Sequence, residues 1–455
     1  MSAHLDEFIR IMQEAGIDEN IIKTFSAYYE KLASGEVTLL SKKEISPPAE
    51  NDLLFYDRLP LDSDKSVMQR IVNLKLNGGL GTSMGLSKAK SLLPVKGNLN
   101  FLDIIARQVL TLRAQLGIEL PLIFMNSYST QADTLNYLQK YPDLALDDLP
   151  LDFLQNKYPR IRQEDLAPFV AKDEKQRWNP PGHGDIYAAL QSSGLLDNLL
   201  SKGYKYAFIS NSDNLGAVIE ASIPQIMQKS GIPFLMEVCL RTEADRKGGH
   251  LCVDKNGKLI LREIAQCPED ELSDFQDINK YKFFNTNSIW LDLEKLKSEL
   301  EKHHGILLLP LICNPKKVEN VPVYQLETAM GAAISIFEGS KALVVPRSRF
   351  APVKKTNDLL ALWSDAYELN EQYQIVLCRS RTKPPKIELD ERFYGTIEQM
   401  QKRFLEVPSL RHCESLTVSG DITFGRDVIC SGNVYLAADG KATVQDRVCE
   451  GLISL

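Results

Sequence analysis

The eight cysteines contain no Cys-x-x-Cys pair: Cys239, Cys252, Cys267, Cys313, Cys378, Cys413, Cys430 and Cys449 are scattered along the chain. Such spacing indicates neither a zinc site nor a disulfide framework, and it predicts reduced thiols packed as small apolar groups. No stretch approaches the roughly 18 uninterrupted apolar residues of a transmembrane helix. The start of the chain, MSAHLDEFIRIMQEAG, lacks the charged-then-apolar layout of an export signal, so a soluble, cytoplasmic protein without membrane contact is expected. A basic excess is also missing. Lys and Arg number 53 against 60 Asp and Glu, a net charge of -7, which argues against a nucleic-acid binder because such a surface must displace counterions from phosphates. Any phosphate site must therefore be local. With 44% hydrophobic and 25% charged residues, the composition excludes collagenous, disordered and coiled-coil classes, and 455 residues predict two or three domains around a large core.

Residues 1–60 alternate apolar and charged positions at helical spacing and end in a polar loop around Ser46 to Asn51, so they read as an N-terminal helical segment. From Ile71 the pattern changes to short apolar runs between helical stretches: IVNLKL, a helix from about Asn100 to Leu116, PLIFMN, YAFISNSD and PFLMEVCL. Strands alternating with helices predict an α/β fold whose Rossmann-like, mostly parallel mixed sheet is covered on both faces. The core is expected over 61–350, followed by a connecting segment over 351–408 with the basic run Lys383 to Lys386. In 409–455, Leu416, Ile422, Val428 and Val434 recur every six residues with glycines near the corners, which predicts a short left-handed β-helix. An antiparallel meander is the alternative.

The strand IVNLKL runs into Asn77-Gly78-Gly79-Leu80-Gly81-Thr82-Ser83-Met84-Gly85 and then Lys88 and Lys90. Closely spaced glycines let a backbone approach a polyphosphate and turn N–H groups toward it, and the carboxyl end of a first strand is where α/β sheets bind ligands. The loop is neither a Walker A sequence nor G-x-G-x-x-G, and a plain tight turn is its simplest structural reading.

Further blocks accompany it: FLQNKYPRI, PPGHGDIY, SNSDNLG, EADRKGGHL, REIAQCP, FFNTNSIW, YQLETAMGAAI and VPRSRFAPVKKTNDL. In this order, over about residues 70 to 360, they resemble the eukaryotic-type UDP-glucose pyrophosphorylases, whose fold is of the nucleotide-diphospho-sugar transferase type. The tail LTVSGDITFG is similar as well. One departure lies in the signature loop, where the family usually has Gly-Pro-Lys and this chain has Lys88-Ala89-Lys90.

The resemblance implies transfer of the uridylyl group of UTP to glucose 1-phosphate, giving UDP-glucose and pyrophosphate. The attacking phosphate is largely dianionic near neutral pH, so no general base is needed and catalysis reduces to aligning two anions and neutralising charge. Lys354 would face the transferring phosphate, with Lys355 as the ambiguity beside it. Lys90 would meet the β- and γ-phosphates, and Lys247 would assist from before Gly248. Asp213 at the carboxyl edge of its strand would hold Mg2+. Leu76, Asn77, Gly78, Gly79, Gln155 and Gly182 complete the implied UTP site, with Gln155 and Gly182 on the uracil edge. His183, Asn211, Gly248, Glu263, Asn285 and Asn287 would bind glucose 1-phosphate; the two asparagines share one face if FFNTNSIW is a strand. Each residue also has a plainer reading: a solvated lysine for Lys90, a helix N-cap for Asp213, a loop glutamine for Gln155.

A Rossmann dehydrogenase is excluded because PLIFMNSYS ends in Asn126 and Ser127, with no acid for a ribose diol. Pyrophosphorylases for other UDP sugars typically carry Ala in place of Asn77, and a silent sugar-nucleotide sensor would be expected to lose Lys90, Asp213 or Lys354. The short tail leaves a homo-oligomer through the C-terminal β domain as an open expectation.

Overall fold

Every residue of the strand Ile71–Asn77 is buried, as expected for the middle of a sheet covered on both faces. The structure, a computed structural model, describes residues 4–36, 39–60 and 65–455. The expected start of the core at residue 61 lies outside the described residues. The central sheet runs in the order Leu53–Phe55, Lys341–Val344, Phe234–Leu240, Phe283–Asp292, Tyr206–Asn211, Ile71–Asn77, Leu122–Asn126 and Asp152–Leu154. Its pairs are parallel except at Phe283–Asp292, which runs antiparallel to both neighbours. The mixed α/β architecture expected from the alternating pattern is therefore present.

The helix Phe101–Leu116 covers one face of the sheet. Asn100 accepts from the Asp103 N–H at 2.9 Å, Asp103 accepts from the Asn100 N–H at 2.9 Å, and Gly117 ends the helix at φ 65°. These are the reciprocal cap and left-handed stop that fix helix ends. The helices Ile186–Ser192, Leu195–Ser201 and Leu293–Lys302 pack Tyr187, Leu199 and Leu296 on the other face.

Helices in the first sixty residues occupy Leu5–Glu14 and Glu19–Ala33, where Phe8, Phe25 and Tyr29 form an aromatic cluster with Tyr158. Such ring pairs contribute roughly 0.5–1.5 kcal/mol each beyond their buried area. The segment is not helical throughout. Leu53–Phe55 is the edge strand of the central sheet, paired with Lys341–Val344, and Ile45–Ser46 pairs with His250–Asp254.

At the other end, Lys386–Leu389, Ser409–Ser419, Val428–Ala437 and Arg447–Ser454 form one parallel sheet, and Ile422–Phe424 pairs in parallel with Ala442–Val444. The observed pairing is parallel, unlike that of a meander. Leu416 lies beside Val434 and Cys430 beside Cys449, so inward residues about three six-residue steps apart in sequence stack as ladders. Burial pushes the Cys413 thiol up to about 11 and that of Cys430 further, which keeps these thiols protonated and apolar. The sheet begins within the expected connecting segment, at Lys386. Among the described residues, no helix is long and apolar enough to cross a membrane.

Candidate active site

Three neighbouring strand ends build one side of the site. Ile71–Asn77, Leu122–Asn126 and Asp152–Leu154 are successive parallel neighbours, so Gly78, Ser127 and Gln155 leave the sheet together. A Cβ on Gly78 would lie 3.0 Å from Gln155 Oε1, and Ser127 Oγ donates to the Gly78 carbonyl at 2.9 Å. Gln155 donates from Nε2 to the Gly182 carbonyl at 2.7 Å. Gly182 has φ 78°, and a Cβ there would meet the Thr328 carbonyl at 2.5 Å, so both conformation and space require glycine. Gln155, Gly78 and Gly182 thus form one cluster. Asn77 instead turns inward: Nδ2 donates to Asn126 Oδ1 and Thr134 Oγ1, each at 2.8 Å. It braces the root of the loop. The Leu76 carbonyl accepts from Ser212 N and Oγ, both at 3.0 Å.

The glycine loop doubles back on itself. Leu80 bridges to Ala89, and the Lys90 N–H donates to the Gly79 carbonyl at 3.1 Å. This return delivers Lys90, whose Nζ bonds to Asp213 Oδ2. Lys88 stays exposed. Asp213 follows the strand Tyr206–Asn211, the parallel neighbour of Ile71–Asn77, which is why loop and carboxylate meet. Its Oδ1 is buried without a hydrogen-bond partner among the described residues. Asn211 ends that strand, half-buried beside Leu76.

Lys354 reaches the same place from far along the chain. The Val353 N–H donates to the Asp213 carbonyl at 3.2 Å, so the lysine follows a residue bonded to the loop of the acid. Lys355 is drawn away by Glu391 Oε1 at 2.7 Å, whereas Lys354 lies over the Phe350 ring at 6.0 Å. Burial pushes the Glu263 carboxyl up while the charge of Lys354 pulls it down, which places the two groups within electrostatic reach.

Glu263, Asn285 and Asn287 form a third group. The strand Phe283–Asp292 pairs Asn285 with Val238 and Ser288 with Glu237, so Thr286 and Asn287 form a bulge, with Asn287 at φ 56°. The expected strand is present, with the bulge inside it. Asn285 Nδ2 donates to Asn287 Oδ1 at 2.8 Å, so the two amides meet through the distortion and not through alternation. The Asn285 N–H donates to the Gly249 carbonyl at 3.0 Å, and a Cβ on Gly249 would strike the Glu263 carboxylate at 2.5 Å. Gly248 is less confined, with a Cβ contact of 3.3 Å to the Asp245 carbonyl. His183 Nδ1 accepts from the Met330 N–H at 3.0 Å, and the next residue, Gly331, packs where a Cβ would lie 2.7 Å from Asn285 Nδ2. His183 is thereby tied to the asparagine group. Burial lowers its pKa to about 4, so the ring is neutral at physiological pH, with its hydrogen on Nε2.

Lys247 is the outlier. It is exposed on the loop between Phe234–Leu240 and His250–Asp254, and no hydrogen bond among the described residues joins its side chain to Lys90, Asp213 or Lys354. Sequence reasoning passed over Asp185, Asn214 and Gly331. Asp185 accepts from Asn156 N at 2.7 Å and Nδ2 at 2.9 Å, while burial pushes its carboxyl up to about 6. Its position two residues after His183 was the only signal. A cleft of about 800 Å3 opens at the opposite edge of the sheet beside Pro233 and Lys341 and touches none of these residues.

The profile of the family described as UTP–glucose-1-phosphate uridylyltransferase matches residues 22–431. A protein of that name from Solanum tuberosum is 40% identical over 446 residues, covering 96% of this chain and 92% of its own; one from Hordeum vulgare has the same identity and coverage. Among solved structures, the UDP-glucose phosphorylase of Trypanosoma brucei superposes with a TM-score of 0.92 at 43% identity, covering 100% of both chains. A mutant UDP-glucose pyrophosphorylase of Leishmania major in complex with UDP-glucose gives a TM-score of 0.91 at 41% identity, again over 100% of both. The chain belongs to the UTP–glucose-1-phosphate uridylyltransferase family.

Proposed function

We propose that the clustered residues at the carboxyl edge of the sheet carry out uridylyl transfer from UTP to glucose 1-phosphate. A phosphate oxygen of the sugar phosphate forms a bond to the α-phosphorus of UTP while the bond to the bridging oxygen breaks, releasing pyrophosphate with its electron pair. The convergence of Lys90, Asp213 and the Lys354 segment carries this reading. Lys90 pairs with the Asp213 carboxylate, and the backbone just before Lys354 is bonded to the Asp213 carbonyl, which brings two lysines from distant parts of the chain to one strand end, as displacement between two repelling anions requires. Lys90 steadies the β- and γ-phosphates and Lys354 meets charge on the transferring group. The clustering of Gln155, Gly78 and Gly182 supports their role at the uracil edge, where amide and backbone groups can separate uracil from cytosine. Asn285, Asn287, Glu263 and neutral His183 serve the sugar phosphate, and Asn211 stands at the strand end between the two sides.

The unpartnered, buried Oδ1 of Asp213 suits a divalent cation, and one carboxylate suffices because Mg2+ completes its shell with phosphates and water. When bound, Mg2+ supplies charge neutralisation at the α-phosphate. The parallel stacking of the tail supports reading it as a short left-handed β-helix, and its open edge strand Arg447–Ser454 offers a face for a second copy. The test is Mg2+-dependent pyrophosphate release from UTP with a panel of sugar 1-phosphates. Glucose 1-phosphate is expected to lead the panel, and a preference for N-acetylhexosamine phosphates would overturn the assignment.

A further inference from the structure

The segment that presents Lys354 is fixed at several points to the loop that presents Asp213. Asn214, 2% exposed, clamps it with both ends of one amide: Nδ2 donates to the Arg349 carbonyl at 3.1 Å, and Oδ1 accepts from the Ala351 N–H at 3.0 Å. Asn214 and Pro352 also bridge, and the Asp213 carbonyl holds the Val353 N–H. Gly216 presses against the strap so closely that a Cβ would lie 2.4 Å from the Ser348 carbonyl. Beneath the clamp, Arg349 is anchored in the core. Its Nε donates to Glu237 Oε2 at 2.8 Å, a second nitrogen reaches Glu237 Oε1 at 2.5 Å, and the Val218 carbonyl accepts at 2.9 Å. Glu237 is fully buried and also accepts from Trp290 Nε1 at 2.9 Å. A bidentate, planar pair of this kind fixes direction as well as distance.

We infer that Asn214 and the Arg349–Glu237 pair are positioning residues that set the distance between Lys354 and Asp213 during transfer. The inference rests on the proposed roles of those two residues. None of the three positioning groups need touch substrate; each acts through the backbone that carries the lysine. Displacing a catalytic group by even 1 Å costs on the order of 100-fold in rate, so the clamp has a measurable consequence.

The test is a double-mutant cycle of Asn214→Ala and Lys354→Ala, with kcat, KM, UDP-glucose affinity and Tm measured for all four proteins. Asn214→Ala is expected to lower kcat ~10–100-fold with UDP-glucose affinity and Tm little changed. In the Lys354→Ala background the same substitution should cost less than about 2-fold, because the group it positions is gone. Equal fold losses in both backgrounds would overturn the inference and assign Asn214 a general structural role. If Lys354→Ala alone leaves kcat intact, the role of Lys354 itself fails, and that appears in a different arm of the cycle. Should Asn214→Ala not fold, Asn214→Asp keeps the acceptor for Ala351 and replaces the donor to Arg349 by a carboxylate oxygen that repels its carbonyl. The same non-additivity is expected of it, and additivity would again overturn the inference.

Discussion

Lys90 Nζ and Asp213 Oδ2 form an ion pair that joins the end of the glycine loop to the carboxylate after Tyr206–Asn211, with side chains 18% and 21% exposed. Partly exposed pairs contribute only about 0–1 kcal/mol to stability, so the consequence of this one is functional. Lys90→Ala is expected to lower kcat/KM for UTP ~100-fold with little change in Tm. Lys88→Ala, at an exposed position, should stay within about 3-fold of wild type. Steady-state kinetics of both variants checks this, and equal losses would show that the two lysines share the site.

The sugar side depends on close approach of backbone to amides. Gly331→Ala would place a Cβ 2.7 Å from Asn285 Nδ2, and Gly249→Ala one 2.5 Å from the Glu263 carboxylate. Each is expected to raise KM for glucose 1-phosphate at least ~10-fold, the scale of a lost polar contact, while KM for UTP hardly moves. Initial rates with each substrate varied in turn provide the measurement, and parallel changes in both constants would contradict the assignment.

Gln155 is positioned twice, by the Asn126 carbonyl on its backbone N–H and by the Gly182 carbonyl on its amide. Gln155→Ala should reduce the preference for UTP over CTP by ~10-fold or more, because base discrimination rests on buried polar groups. Competition between the two nucleotides reads the ratio directly. An unchanged ratio would remove Gln155 from the base site.

Acid sensitivity follows from two histidines. His250 is fully buried and stacked on Tyr281 at 3.9 Å; burial, then the charges of Arg241 and Arg262, hold its pKa at about 3. Its unfolded value is about 6.5, so between those values the unfolded chain binds the extra proton and stability falls as pH falls. His183, held at about 4, acts in the same sense over the upper part of that window. Asp185, raised to about 6, acts oppositely between its unfolded value and 6, because there the folded chain carries the proton. Between pH 4 and 6 the balance of these three groups is roughly one proton, about 1.4 kcal/mol per pH unit. Urea unfolding from pH 6.5 down to 4 should show that loss, and His250→Phe should flatten it. Superimposable slopes would contradict the account.

The capped helix Phe101–Leu116 was legible because its signals are local: Asn100, Asp103 and Gly117 lie within one short stretch. Leu53–Phe55 was not, since a three-residue strand takes its identity from Lys341–Val344, far along the chain. The bulge at Thr286 and Asn287 escaped notice for a related reason, because register belongs to the pair of strands and not to either sequence. Lys354 and Lys355 look alike in sequence and are distinguished by Glu391. Arg349, two positions beyond Arg347, shows no outward sign of meeting Glu237 in the core.

The most direct test of the central claim compares Mg2+-dependent pyrophosphate release from UTP and glucose 1-phosphate by the wild type and by Lys354→Ala, with UDP-glucose affinity measured alongside. Turnover by the wild type is expected, with a kcat lower by ~100- to 1,000-fold in the variant and UDP-glucose affinity within about 5-fold, since the lysine acts mainly on the transition state. A variant that turns over at the wild-type rate, or a wild type that releases no pyrophosphate with glucose 1-phosphate, would contradict the claim.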